Sequence, residues 1–191
     1  MSNIIAIDSY QPQNKDKFFF DTNIWMYLCC PLGNYERTVI RKYDGFLKKA
    51  LLVKSSIFVS SLVLSEFFNA YTRLEFNILK GKDPLRYQDL KRDFRRTNDY
   101  KRLTVNIKMT VKTRILKVSK RVDDNFSNMD LEELFDNIEQ SDFNDNYYHI
   151  LATIENMKIV TNDYDFGAVR KVSVPILTAN NRLLKRKIIY S

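Results

Sequence analysis

The chain has 191 residues, 45% of them hydrophobic and 28% charged, with a formal net charge of +8. That length holds one domain with a core of its own plus an insertion, and the composition excludes disordered, collagen-like and low-complexity classes. No apolar run reaches the roughly 18–20 residues that span a bilayer, and the opening Met-Ser-Asn-Ile-Ile has no basic n-region; a cytoplasmic protein with two reduced thiols, Cys29 and Cys30, is expected.

Residues 1–16 read as irregular, with Gln11, Pro12, Gln13 and Asn14 as loop residues. Lys17-Phe18-Phe19-Phe20 is a short aromatic run that reads as a buried strand and ends in Asp21-Thr22-Asn23. A helix follows over 24–28 until Pro31, Gly33 and Asn34 break it. Val39, Tyr43, Phe46, Leu47 and Ala50 recur at helical spacing over 35–52. Ile57-Phe58-Val59 is a second strand. Ser60 or Ser61 caps the next helix, from 62 to about 79, with Gly81 as its stop.

Asp83-Pro84 reads as a restart, and the pattern predicts helices over 84–97 and 100–121. Val105, Ile107, Met109 and Val111 also alternate as in a strand. Asp130 with Glu133 resembles a capping box for a short helix, and Ser141 caps another over 142–157. Lys158-Ile159-Val160 is a third strand, ending in Thr161-Asn162-Asp163. A fourth spans 173–177, and 182–187 reads as a terminal basic helix. Strands alternating with helices predict an α/β fold around a mostly parallel sheet.

The charge is split along the chain. Residues 80–121 carry 15 Lys/Arg against 4 Asp, whereas 123–145 carry nine Asp/Glu and no Lys or Arg. A basic block beside an acidic one points to polyanion binding near a cation site; the plainer reading is a solvated helical hairpin with charged faces.

In an open parallel sheet the functional crevice lies beyond the carboxyl ends of the strands. Two predicted strands end there in acids, one delivering Asp21 and the other Asp163. Glu66 lies early in the helix after the second strand. Asp142 and Asp145, three apart at a helix start, share a face. Carboxylates crowded this way repel unless a cation sits among them, and Mg2+ or Mn2+, which take oxygen ligands, suit such a site. Taken singly, each acid also has a plain role: Asp21, Asp163 and Asp165 as turn residues, Asp142 as a favourable helix-start charge.

The chain resembles the PIN-domain nuclease family. The resemblance rests on Phe19-Phe20-Asp21-Thr22-Asn23-Ile24, on Val59-Ser60-Ser61-Leu62-Val63-Leu64-Ser65-Glu66-Phe67, on Ser141-Asp142-Phe143-Asn144-Asp145 with its apolar helix, on Ile159-Val160-Thr161-Asn162-Asp163-Tyr164-Asp165-Phe166 with a Thr-x-Asp signature, and on Val174-Pro175-Ile176-Leu177-Thr178. It implies a single PIN-like domain over 1–191: a three-layer fold with a central, mostly parallel sheet flanked by helices, and a basic helical insertion over 80–129.

It also implies a Mg2+- or Mn2+-dependent endoribonuclease with Asp21, Glu66, Asp145 and Asp163 as catalytic acids and metal ligands. Asp142 and Asp165 would be auxiliary, with the choice between Asp142 and Asp145 as third ligand open. Thr22, Asn23 and Thr161 would support the acids or contact phosphate. Lys91, Arg92, Arg95, Arg96, Lys101 and Arg102 are expected to bind the nucleic acid. Many bacterial members are toxins of toxin–antitoxin pairs and homodimerise, so an RNA substrate, an antitoxin and a second copy are the implied partners. The 80–129 segment is longer and more basic than in compact toxin members; an RNA-binding arm, a dimerisation hairpin or a substitute for a partner's contacts would each account for it. A non-catalytic nucleic-acid-binding protein of this fold and a DNA-directed nuclease are the alternative readings.

Other residues weigh less. His149, four after Asp145, reads as a half-buried helical histidine rather than a general base. Cys29 and Cys30 lack a neighbouring base and read as core or surface thiols. Tyr87, Phe94 and Tyr100 interleave with basic residues and would stack on bases or pack in a core. With only four glycines there is no phosphate-binding Gly-rich loop.

Overall fold

Phe18, Phe19 and Phe20 are all fully buried, which a strand achieves only when both faces of its sheet are covered. They form β2 (Lys17–Phe20). Phe18 and Phe20 point to one face, their rings 5.1 and 6.3 Å from Phe46. Phe19 points to the other, 5.1 Å from Tyr148. Phe46 belongs to one helix layer and Tyr148 to another, with the sheet between: the three-layer arrangement expected.

The computed structural model describes residues 4–136, 138–168 and 174–185. The elements in chain order are β1 (Ile4–Ala6), β2, α1 (Thr22–Cys29), α2 (Arg37–Leu52), β3 (Ser56–Val59), α3 (Ser61–Lys82), α4 (Asn98–Thr110), α5 (Leu116–Val118), β4 (Lys120–Arg121), α6 (Leu131–Phe135), α7 (Phe143–Ile154), β5 (Lys158–Val160), β6 (Ile176–Thr178) and α8 (Asn181–Lys185). The six strands form one sheet in the order β1-β6-β5-β2-β3-β4, every neighbouring pair parallel.

Register places Phe20 opposite Val160, and the Asp21 N–H bonds the Val160 carbonyl at 3.0 Å. Both central strands therefore end at the same level. From β2 the chain moves on to β3 on one side; from β5 it moves on to β6 on the other. The crevice of such a sheet opens where the order reverses, between these two strand ends.

Helix ends feed the strands with little slack. α7 closes with Asn156 in the left-handed region (φ 53°) and the Met157 N–H reaching back 2.8 Å to the Ala152 carbonyl. α2 closes the same way at Lys54 (φ 60°), with Ser55 N–H on Ala50 O at 2.9 Å. Each turn satisfies orphan carbonyls and drops the chain directly into β5 or β3.

Several expectations from the sequence are corrected. The irregular N-terminus contains β1, which pairs with β6, and the predicted helix over 100–121 gives way at its end to β4, which pairs with β3. Both are two- or three-residue edge strands, too short to show a period. Gly81 does not stop α3, which runs one residue further and is capped at Asp83. No long helix covers 84–97; the described residues there form turns and one wide helical turn, Leu90–Phe94, capped by Asp89. Over 98–115 the helical alternative wins: Leu103, Ile107, Val111 and Ile115 are buried and Val105 and Met109 exposed. The cap of α7 is Asp142, not Ser141. The start of the predicted 173–177 strand and the end of the 182–187 helix lie outside the described residues. No helix among those described is long and apolar enough to cross a membrane.

Candidate active site

Asp21 follows β2 directly and is the N-cap of α1, 5% exposed. Its Oδ1 accepts the Thr22 N–H at 2.5 Å. Its Oδ2 accepts the Thr161 hydroxyl at 2.7 Å and also the Asn23 amide. Burial dominates its titration and, with Glu66 and Asp163 nearby, lifts the carboxyl to about 7 against the pull of its Thr161 and Thr22 donors.

Thr161 sits at the end of β5, fully buried. While donating to Asp21, its Oγ1 accepts from the Asp163 N–H at 2.9 Å and from Asn23 Nδ2 at 3.1 Å. Asn23 Oδ1 in turn accepts the Asn162 N–H at 3.1 Å. The Thr-x-Asp signature is thus a device for joining two strand ends: one hydroxyl ties Asp21 to the turn that presents Asp163. Asp163 is exposed, and its Oδ1 accepts the Asp165 N–H at 3.0 Å, which sets the turn.

Glu66 lies on the second turn of α3, whose N-cap Ser60 accepts the Val63 N–H at 3.3 Å. Both its oxygens are occupied. Oε2 accepts from Thr22 Oγ1 at 2.7 Å and from the Tyr148 hydroxyl, and Oε1 accepts from the Asn144 amide. Burial and the Glu66 charge raise the Tyr148 hydroxyl's pKa strongly, so it stays protonated and donates. Thr22 and Asn23 therefore touch acids of the site, as does Thr161.

On α7 the two candidate ligands separate. Asp142 is exposed and uses Oδ1 to accept the Asp145 N–H at 2.8 Å, the N-cap bond of the helix. Asp145 is 6% exposed, and no hydrogen-bond donor among the described residues meets its carboxylate. Burial first, then Asp142, Asp21, Asp163 and Asp165, push it up to about 9.

Asp21, Glu66, Asp142, Asp145 and Asp163 line a single pocket of about 360 Å3; Asp165 does not line it. Its other half is formed by apolar and aromatic side chains of α1, α3 and the loop between α1 and α2. Among the described residues no three His, Cys, Asp or Glu side chains close on one point tightly enough to hold an ion unaided. The donor set is nonetheless one of hard oxygens whose full ionisation the buried, crowded site resists, which fits a divalent cation such as Mg2+.

Tyr148 and Asn144 escaped sequence reasoning. Their i, i+4 spacing on the Asp145 helix was the available signal. Tyr43 escaped too: its hydroxyl accepts the Ala179 N–H at 2.8 Å and lies 2.9 Å from both the Thr161 carbonyl and Asn162 Oδ1, bracing the strand ends from below.

Lys91, Arg92, Arg95, Arg96, Lys101 and Arg102 are exposed on the wide turn, the short connection after it and α4, outside the pocket. Arg102 pairs with Asp99 at 2.5 Å and Arg92 with Asp93 at 3.5 Å, so part of that charge is compensated locally. Tyr87 and Phe94 are core residues and do not face solvent: Phe94 packs on Phe76, Tyr87 and Tyr100 at 5.5–6.0 Å. His149 is buried rather than half-buried, and burial holds it down at about 4. Cys29 and Cys30 are buried thiols, Cys29 pushed up to about 11 by burial.

The family model described as PIN domain matches residues 18–172 of the chain. No curated protein matches it.

Proposed function

The chain belongs to the PIN-domain family, a family of metal-dependent nucleases, and from that premise we propose that it is an endonuclease that hydrolyses RNA phosphodiester bonds with Mg2+ or Mn2+. The observation carrying this reading is the meeting of five acids, from the end of β2, α3, the start of α7 and the β5 turn, in one pocket, with Asp21 and Asp145 buried and pushed far above the ordinary carboxylate range.

In this reading Asp21, Asp145 and Asp163 would hold the ion. Asp145 is preferred over Asp142 because its carboxylate meets no donor among the described residues, whereas Asp142 is committed to capping α7. When bound, a divalent cation acidifies water and offsets charge on phosphoryl oxygens. Glu66, held by Thr22, Tyr148 and Asn144, would reach the ion through a water or orient the attacking water. Asn23, Thr22 and Thr161 hold Asp21 in one rotamer. Burial favours the protonated form of Asp145, so serving as a ligand would require it to release that proton to solvent. The exposed Lys91, Arg92, Arg95, Arg96, Lys101 and Arg102 supply sequence-independent attraction for the phosphate backbone.

The test is cleavage of end-labelled single-stranded RNA, single-stranded DNA and duplexes by the purified protein in Mg2+, Mn2+ or chelator. Internal cuts in RNA that need the metal and vanish in Asp21→Asn and Asp163→Asn support the reading. Full cleavage by either variant overturns the acid roles. Salt-sensitive binding that survives chelation without any product indicates a non-catalytic binding protein, and cleavage confined to DNA a DNA-directed nuclease.

A further inference from the structure

The acid half of the pocket accounts for hydrolysis, but its other half has no part in that chemistry. Met26 and Tyr27 from α1, Tyr35 from the loop between α1 and α2, and Ala70 and Leu74 from α3 line it in the same pocket as Asp21 and Glu66. The two tyrosine rings stand 4.7 Å apart at 68°. Tyr27 is fixed at its far end, its hydroxyl accepting from Asn162 Nδ2 at 3.1 Å, and Asn162 belongs to the network under the acids. Tyr35 is held differently. A Cβ built on Gly33 would fall on the Tyr35 ring, so the ring seats against the bare backbone of Gly33 and any side chain there would force it to shift. Residue 33 is thereby committed to placing Tyr35 in the pocket wall.

We propose that Tyr35, seated on Gly33 and braced by Tyr27, forms with Met26, Ala70 and Leu74 a subsite for one unpaired nucleobase next to the phosphodiester held at the acids. An aromatic and aliphatic recess of this kind takes the π-face of a base without reading its hydrogen-bonding edge. A base inside a duplex has both faces stacked and cannot enter without being flipped out. The subsite therefore selects single strands over duplexes, and selects weakly among bases. This inference rests on the nuclease reading for the identity of its ligand, although the subsite's binding is separable from cleavage.

The experiment measures binding of short RNA to the Asp21→Asn protein in Mg2+ by fluorescence anisotropy, with one abasic residue moved stepwise through the strand. One abasic position is expected to weaken binding to this protein by roughly 10- to 100-fold. Adding Tyr35→Leu or Gly33→Ala should give a similar loss with intact RNA and make binding indifferent to the abasic residue, whereas Tyr35→Phe should behave as the parent. A 2-aminopurine at the sensitive position should be quenched by the parent and by Tyr35→Phe only. A thermal melt of each variant checks the fold, and Gly33→Ala reaches the same ring without altering it. Losses from Tyr35→Leu and from the abasic residue that simply add, or unchanged affinity in Tyr35→Leu, overturn the subsite. Failure of the wild type to cleave any strand while this coupling persists would remove the nuclease reading and leave the base subsite standing.

Discussion

The hydroxyl of Thr22 donates to Oε2 of Glu66 across 2.7 Å, joining the residue after the first acid to an acid 44 positions later. The same Thr22 gives its backbone N–H to Asp21. One threonine thus fixes the spacing between the two acids. Tyr148 completes the hold on Glu66 from the other side.

Breaking that hold should cost turnover more than binding. A hydrogen bond to a charged group contributes about 1.5–3 kcal/mol. Thr22→Val and Tyr148→Phe are each expected to lower kcat roughly 10- to 100-fold with little change in KM, and the double variant to lose less than the product of the two. Single-turnover cleavage with saturating enzyme checks this; a change confined to KM would place Glu66 in substrate binding instead.

Metal-free stability should fall as pH rises. Below about pH 4 both buried carboxyls are protonated in the folded and unfolded chain alike. Above that, the unfolded chain releases protons that the fold retains, up to about pH 7 for Asp21 and about pH 9 for Asp145. Melts in chelator across pH 5–9 should therefore decline steadily, and millimolar Mg2+ should recover most of the loss at the alkaline end. Asp145→Asn should flatten the alkaline part of the profile and raise Tm in chelator by a few degrees, about 2–4 °C for each kcal/mol in a chain of this size. Asp21→Asn should gain less, since its amide cannot accept all three donors that Asp21 satisfies. A flat profile for the wild type would contradict the crowding.

Asp142 should behave as a cap. Asp142→Ala is expected to cost about 1 kcal/mol of stability and Asp142→Ser to recover most of it, because a serine hydroxyl accepts the same Asp145 N–H. Cleavage measured well below Tm should change only a few-fold in either variant. Loss of activity in both, at unchanged stability, would make Asp142 the ion's ligand in place of Asp145.

The exposed cations should act on affinity alone. Replacing Lys91, Arg96 and Lys101 together by Ala should weaken binding of single-stranded RNA at low salt and reduce the slope of log K against log salt by about 2, at roughly 0.7 for each phosphate charge left unneutralised. The cleavage rate at saturating RNA should hold. An unchanged salt slope would remove this cluster from the path of the strand.

Much of this was legible in the sequence because it depends on local chemistry. The aromatic run before Asp21, the apolar run before Asp163, and Glu66 one turn into α3 fix where each acid leaves its element, since strand direction and helix phase are set by neighbouring residues. A parallel sheet then carries the two strand-end acids to one edge by topology alone.

Tertiary structure decided the rest. β1 and β4 exist because β6 and β3 offer them partners, and segments of three and two residues carry no period of their own. Asp142 and Asp145 look equivalent in the chain, and only the cap bond and the burial of the second carboxylate distinguish them. The Thr22–Glu66 and Tyr148–Glu66 bonds, and the seating of Tyr35 on Gly33, join atoms whose approach depends on how helices pack over the sheet. A sequence states which groups each element presents; distances between elements are set by packed side chains, which no single segment encodes.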